Sequence, residues 1–267
     1  MLLSRPDGAP SLFYEDQGSG PPLLLVHGWS RSGADFAPLA ARLSATHRVV
    51  RLDLRGHGHT APGRFTLADL AGDVAALAGF LDLRGALLLG WSLGGQVALT
   101  ALPGLTGRVE RLVLIGTTPR FTEGDGWPHG LPAGALAGMA ARLQRQPERT
   151  LARFVDDCFA PGELDEEARA LLRSPEAVPA PDLACALAGL DVLAGTDLRA
   201  ALPAVALPAL LLYGEADAVC PVGAAHATAA LLPAARLVTF PAVGHAPFIS
   251  RPAEVAALLE AFAAEAA

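Results

Sequence analysis

Six short apolar runs punctuate this chain of 267 residues: Leu23 to Val26, Arg48 to Leu54, Ala86 to Gly90, Arg111 to Ile115, Ala209 to Tyr213 and Arg236 to Phe240. Between them lie longer stretches that suit helices, such as Ala34 to Ser44, Thr66 to Leu81, Val222 to Leu232 and Pro252 to Ala264. Runs that are this short and almost wholly apolar suit strands covered on both faces. Strand, helix, strand in series demands parallel neighbours joined by right-handed crossovers. The expected fold class is therefore α/β, a mostly parallel sheet with helices on both faces. Open sheets of this kind carry their sites at the carboxyl ends of the strands.

The alternation breaks between about Pro119 and Gly195, where Pro and Gly punctuate helix-compatible sequence and no strand is evident. The expected organisation is one domain: a core formed by residues 1–118 and 196–267, with an inserted helical cap over 119–195. Although 52% of the residues are hydrophobic, no apolar stretch approaches the roughly 18 to 20 residues of a membrane span, so the hydrophobicity belongs to a core. The first residues, Met1 to Gly8, lack the basic and apolar segments of a secretory leader, and a cytoplasmic monomer is the expectation. A net charge of −7 argues against nucleic-acid partners, which need a basic surface. All 20 basic residues are arginine. Cys158, Cys185 and Cys220 have neither an even count nor metal-ligand spacing, so they read as buried thiols.

Gly90-Trp91-Ser92-Leu93-Gly94 follows the third apolar run and precedes the helix-compatible Gly95 to Leu102. A strand, a sharp turn and a helix thus present Ser92, with glycines where side chains would strike the neighbouring backbone. A serine hydroxyl is a weak nucleophile at neutral pH and needs a base, and a base imidazole needs a carboxylate to fix its tautomer. Asp217 and His245 follow the last two apolar runs, so the chain order is Ser92, Asp217, His245. Glu215 is the rival acid, and Asp217 could instead cap the helix before Val222. Among the other histidines, His27 adjoins a loop suited to oxyanion binding, His57 and His59 sit in a Gly-rich loop, and His47, His129 and His226 lack strand-end placement. Acyl transfer also needs N–H donors for a tetrahedral oxyanion. The backbone N–H groups of Trp29 and Leu93 are the candidates, with Trp29 open to a packing role as well. No metal or organic cofactor is required by such chemistry.

Together, Val26-His27-Gly28-Trp29, Gly90 to Gly95, Trp127-Pro128, Thr196 to Arg199 and Gly244 to Pro252 resemble the α/β-hydrolase superfamily. Within it they resemble the pimeloyl-[acyl-carrier protein] methyl ester esterases of biotin synthesis. The resemblance implies an α/β-hydrolase fold and hydrolysis of a methyl ester at the far end of an acyl chain whose other end stays on an acyl-carrier protein. It also implies substrate contacts from Trp29, Ser92, Leu93, Phe154, Cys158 and His245. A helix begun at Pro147 would set Arg149 and Arg153 on one face and Leu151, Phe154, Val155 and Cys158 on the other. Phe154 and its neighbours would line an acyl channel, and Arg149, Arg153 and Arg169 would meet the acidic carrier. A solvated arginine face over a packed one reads the same pattern without a partner. Two positions depart from the family: Cys158 stands where relatives commonly carry glutamine, and Asp165 where a basic residue is common. A general carboxylesterase of short to medium acyl esters is the alternative. A receptor that keeps the pocket but performs no reaction is the reading from another class.

Overall fold

The computed structural model describes residues 1–5, 8–132 and 134–265. Its centre is one eight-stranded sheet: β1 (Leu2–Leu3), β2 (Leu12–Gln17), β3 (Pro22–Val26), β4 (Arg48–Leu52), β5 (Ala86–Trp91), β6 (Val109–Ile115), β7 (Ala209–Gly214) and β8 (Ala235–Phe240). The spatial order is β1-β2-β4-β3-β5-β6-β7-β8. From β4 through β8 every neighbouring pair is parallel, and the two pairings of β2 are antiparallel. The leucine runs follow from this arrangement: β5 and β7 are buried along their whole length, because helices cover both faces.

The six strands expected from sequence form within two residues of the stated limits, but β1 and β2 were not anticipated. β2, one strand in from the edge, carries Glu15, Asp16 and Gln17, residues poorly suited to strands. Its partner β4 supplies the compensation: Arg48 pairs with Asp16 at 2.6 Å and Arg51 with Glu15 at 3.0 Å. Such cross-strand pairs exist only once the two strands have met.

Helices α1 (Ala37–Leu43), α2 (Leu67–Phe80) and α3 (Leu93–Ala101) fill the first half of the chain. The Ala34 to Ser44 stretch divides, with a 3-10 turn over Gly33–Phe36 ahead of α1. Thr66 caps α2 through a reciprocal pair with Asp69, satisfying two N–H groups that the helix leaves open. Between β6 and β7 the chain leaves the sheet through α4 (Ala135–Arg145), α5 (Pro147–Asp157), α6 (Glu166–Arg173) and α7 (Leu183–Gly195). α5 packs against α4 and α6, and α4 also packs against α7. α8 (Val222–Leu231), α9 (Pro247–Ser250) and α10 (Pro252–Ala264) complete the order, with α10 against α1. No helix among the described residues is long and apolar enough to cross a membrane.

Candidate active site

β5 ends at Trp91 and α3 begins at Leu93, so Ser92 alone makes the turn, at φ 56° and ψ −120°. A side chain at positive φ costs on the order of 1 to 3 kcal/mol and persists only where its surroundings impose it. Here the Ser92 N–H donates to the Ile115 carbonyl at 2.9 Å, which ties the turn to β6. The glycines allow the crossing: a Cβ on Gly90 would lie 2.5 Å from the Cα of Gly95, and one on Gly94 would overlap the Val26 carbonyl. The strand and helix therefore touch backbone to backbone on either side of the serine.

Asp217 follows β7 and His245 follows β8, and the two meet: His245 Nδ1 lies 2.7 Å from Asp217 Oδ2, with both side chains fully buried. The other oxygen, Asp217 Oδ1, accepts from the Val219 and Cys220 N–H groups at 2.8 and 2.7 Å. A carboxylate held this way is an acceptor only, so Nδ1 carries the ring proton and Nε2 keeps its lone pair. Nε2 is buried without a hydrogen-bond partner among the described residues, a nitrogen open to receive a proton. The rival acid is engaged elsewhere, since Glu215 accepts from the Thr239 hydroxyl at 2.9 Å. Nor does Asp217 cap α8, whose N-cap is Pro221.

Leu93 opens α3, and its N–H is one of those a helix cannot satisfy internally. Trp29 lies just past β3, and its indole N–H donates to the Ala186 carbonyl of α7 at 2.7 Å, while its ring meets Phe154 edge-on at 4.9 Å. Two buried histidines hold this loop from beneath. His27 Nδ1 bonds the Gly28 carbonyl at 2.8 Å and its Nε2 accepts from Leu54 at 2.9 Å. His57 Nε2 accepts from the Ser30 N–H at 3.2 Å and its Nδ1 bonds the Arg55 carbonyl at 3.1 Å. Burial pushes the His27 imidazole down to about 4. Burial and then the neighbouring His27 push His57 down to about 3. Both rings are thus neutral, each with one nitrogen giving and one receiving.

Ser92 opens into a cavity of about 340 Å³ walled by Trp29, Phe121, Leu131, Leu136, Met139, Phe154, Leu190, Leu193 and Val219, with Arg142 and Asp157 its charged lining among the described residues. Those two residues, with Met139 and Phe154, also border a groove of about 670 Å³ between α4 and α5. Arg142, Arg145, Arg149 and Arg153 line that groove. A basic groove and an apolar pocket therefore share one wall.

Of the residues expected from sequence, Phe154 lies in the pocket wall, and Arg149 and Arg153 lie on the groove. Arg153 is paired with Asp157 at 2.8 Å one turn along the helix. Cys158 does not line the pocket. α5 stops at Asp157, so Cys158 is its C-cap and its side chain joins Arg31 and Trp91 around a separate small cavity. Burial raises its thiol well above the ordinary range, which keeps it protonated. Arg169 is turned inward, donating to the carbonyls of Ala160 at 2.9 Å and Asp156 at 3.3 Å. Asp165 caps α6 by accepting from the Ala168 N–H. Arg142 and Arg145 escaped the sequence reading, which began its basic face at Pro147. Their spacing to Arg149 and Arg153, three, four and four residues, was the available signal. It becomes one surface only when α4 folds back on α5. Among the described residues no three His, Cys, Asp or Glu side chains are grouped to hold a metal ion.

A family model described as the alpha/beta hydrolase family matches residues 23–258. The chain belongs to the α/β-hydrolase family. Among its relatives, the pimeloyl-[acyl-carrier protein] methyl ester esterase of Stenotrophomonas maltophilia (strain K279a) is 38% identical over 252 residues, covering 92% of this chain and 94% of that one. The protein of the same name from Xylella fastidiosa (strain M23) is 35% identical over 258 residues, covering 95% and 99%. Among solved structures, an esterase (EaEST) from Exiguobacterium antarcticum superposes with a TM-score of 0.93 at 26% identity, covering 99% of both chains. By family this α/β hydrolase is an enzyme of the esterase type.

Proposed function

We propose that this α/β hydrolase cleaves the methyl ester of a pimeloyl chain carried on acyl-carrier protein, with Ser92 as nucleophile, His245 as base and Asp217 as its orienting acid. Ser92 Oγ attacks the ester carbonyl while His245 Nε2 takes its proton. The Trp29 and Leu93 N–H groups receive the oxyanion, each such donor contributing about 3 to 4 kcal/mol to the transition state. Methanol leaves with the proton from His245. A water activated by the same nitrogen then frees the carboxylate and restores Ser92. Residues 119–195 act as the cap that closes the acyl pocket.

The observation that carries the substrate reading is the shared wall between the Ser92 pocket and the four-arginine groove. An apolar pocket of about 340 Å³ suits the methylene chain and its neutral ester end. The groove suits an acidic protein that stays outside, in a molecule whose own net charge of −7 would otherwise repel it. Reach then selects the distal ester, leaving the thioester outside with the carrier, where Ser92 cannot reach it. The relatives named as pimeloyl-[acyl-carrier protein] methyl ester esterases support the same reading. Phe154 contributes to the acyl wall, Arg142, Arg145, Arg149 and Arg153 to carrier docking, and Arg169 to the cap's own cohesion.

The inward engagement of Arg169 and the Arg153–Asp157 pair favour the second reading, a general carboxylesterase that needs no carrier. Comparing kcat/KM for dimethyl pimelate and for the carrier-linked methyl ester separates the two. A preference of about a hundredfold or more for the carrier-linked substrate is expected. Equal values select the general esterase, and Ser92→Ala with unchanged turnover removes the serine mechanism itself.

A further inference from the structure

The turn that follows α5 is bonded to the loop that carries His245. The His245 N–H donates to the Cys158 carbonyl at 2.7 Å. One residue earlier, the Gly244 N–H donates to Glu163 Oε2 at 2.7 Å. The same oxygen accepts from the Ala160 N–H, again at 2.7 Å, which closes the Ala160 to Glu163 turn upon itself. The second oxygen, Glu163 Oε1, is buried without a partner among the described residues, so the carboxylate end of this half-buried side chain faces into the seam. Contact leaves no slack: a Cβ on Gly244 would stand 2.5 Å from the Cys158 carbonyl oxygen and 2.9 Å from the Phe159 Cα. Arg169 braces the far side of the turn through the Ala160 carbonyl at 2.9 Å and lies 5.7 Å from the centre of the Phe159 ring.

The imidazole is thereby held at two points. Asp217, from the sheet, fixes its ring, and the 158–163 turn, from the helical segment, fixes its backbone. A charged oxygen accepting two backbone N–H groups makes stronger bonds than a neutral one. We propose that Glu163 is a positioning residue for His245, acting through Gly244, so that the helical segment and not the sheet alone sets the direction of Nε2. This rests on the reading of His245 as the base.

The test measures kcat and KM for p-nitrophenyl butyrate in wild type, Glu163→Ala and Glu163→Gln, with the low-field proton resonance of His245 Nδ1–H recorded in each. Removing the strut lets the ring drift by a fraction of an ångström, and Glu163→Ala is expected to lower kcat about thirtyfold with KM held within about twofold. The Nδ1–H resonance shifts or broadens in the same variant. Glu163→Gln offers an amide oxygen to both N–H groups and is expected to stay within about threefold of wild type, with the resonance in place. Should Glu163→Ala not fold, Glu163→Asp, whose oxygen is withdrawn by one methylene, carries the same expectation. Wild-type kcat in the alanine or aspartate variant, equal loss in the glutamine variant, or lost kcat with an unmoved resonance overturns the proposal. The underlying reading fails differently, by His245→Ala retaining turnover whatever Glu163 does.

Discussion

Ser92, Asp217 and His245 follow strand ends, are almost wholly buried, and are each fixed by hydrogen bonds: Ser92 to the Ile115 carbonyl, His245 to the Cys158 carbonyl and to Asp217, and Asp217 to the N–H groups of Val219 and Cys220. Arg142, Arg145, Arg149 and Arg153 stand on two neighbouring helices and are exposed, and the partners that hold Arg149 and Arg153, Gln146 and Asp157, lie within a turn on the chain. The floor of the site is over-determined and its rim is adjustable. Chemistry that tolerates errors of only tenths of an ångström belongs on the floor. Recognition of a mobile, charged partner works through the summed field and tolerates loose side chains.

The largest losses are expected on the floor. Ser92→Ala or His245→Ala is expected to reduce kcat by about four to six orders of magnitude with the fold intact, measured by ester turnover beside circular dichroism. On the rim, Arg145→Glu with Arg149→Glu should lower kcat/KM for a carrier-linked ester by about a hundredfold at low salt. The same double variant should leave p-nitrophenyl butyrate within about twofold. A parallel loss on both substrates would place those arginines in the chemistry instead.

The layer beneath the floor sets the acid limit. His27 and His57 titrate at about 4 and about 3 in the folded chain because burial disfavours their charged forms. Unfolded, each titrates near 6.5. The unfolded chain therefore binds more protons as pH falls below about 6.5, and their contribution, complete above that value, is lost towards pH 4 for His27 and 3 for His57. Each ring costs about 1.4 kcal/mol per pH unit in that window. His57→Gln should roughly halve this part of the slope in urea titrations from pH 6 to about 4.5; an unchanged slope would show that other groups set the acid limit. Ser92→Gly removes the Cβ from a positive-φ turn and should raise stability by about 1 kcal/mol as it abolishes turnover. The smallest effect belongs to the rim: Arg153→Ala, at a side chain 77% exposed, should move stability by less than about 0.5 kcal/mol.

What was legible in sequence follows the same division. The floor is written in short range: an apolar run, a glycine-flanked serine, and an acid and a histidine a few residues past later runs, each readable within a dozen residues. β2 was not, because Glu15 becomes a good strand residue only opposite Arg51, and Asp16 only within reach of the Arg48 side chain. The rim was half legible. Helical spacing within α5 gave Arg149 and Arg153, but the fold-back of α4 that adds Arg142 and Arg145 depends on packing between helices. Cys158 was placed on the acyl face by extending the helical period one residue past the helix end at Asp157, where the chain turns away. Arg169, which the resemblance gives to the carrier, is turned inward by three backbone carbonyls.

One consequence of the Trp29 and His245 anchors concerns transplantation. The Trp29 indole reaches α7 at the Ala186 carbonyl, and the His245 N–H reaches the end of α5 at the Cys158 carbonyl. Both acceptors are main-chain atoms, so the bonds themselves ask nothing of the side chains at 158 and 186, which need only fit their buried places. A helical segment grafted from a distant relative would look compatible in every aligned letter and still unseat both walls of the site if its backbone ran an ångström away.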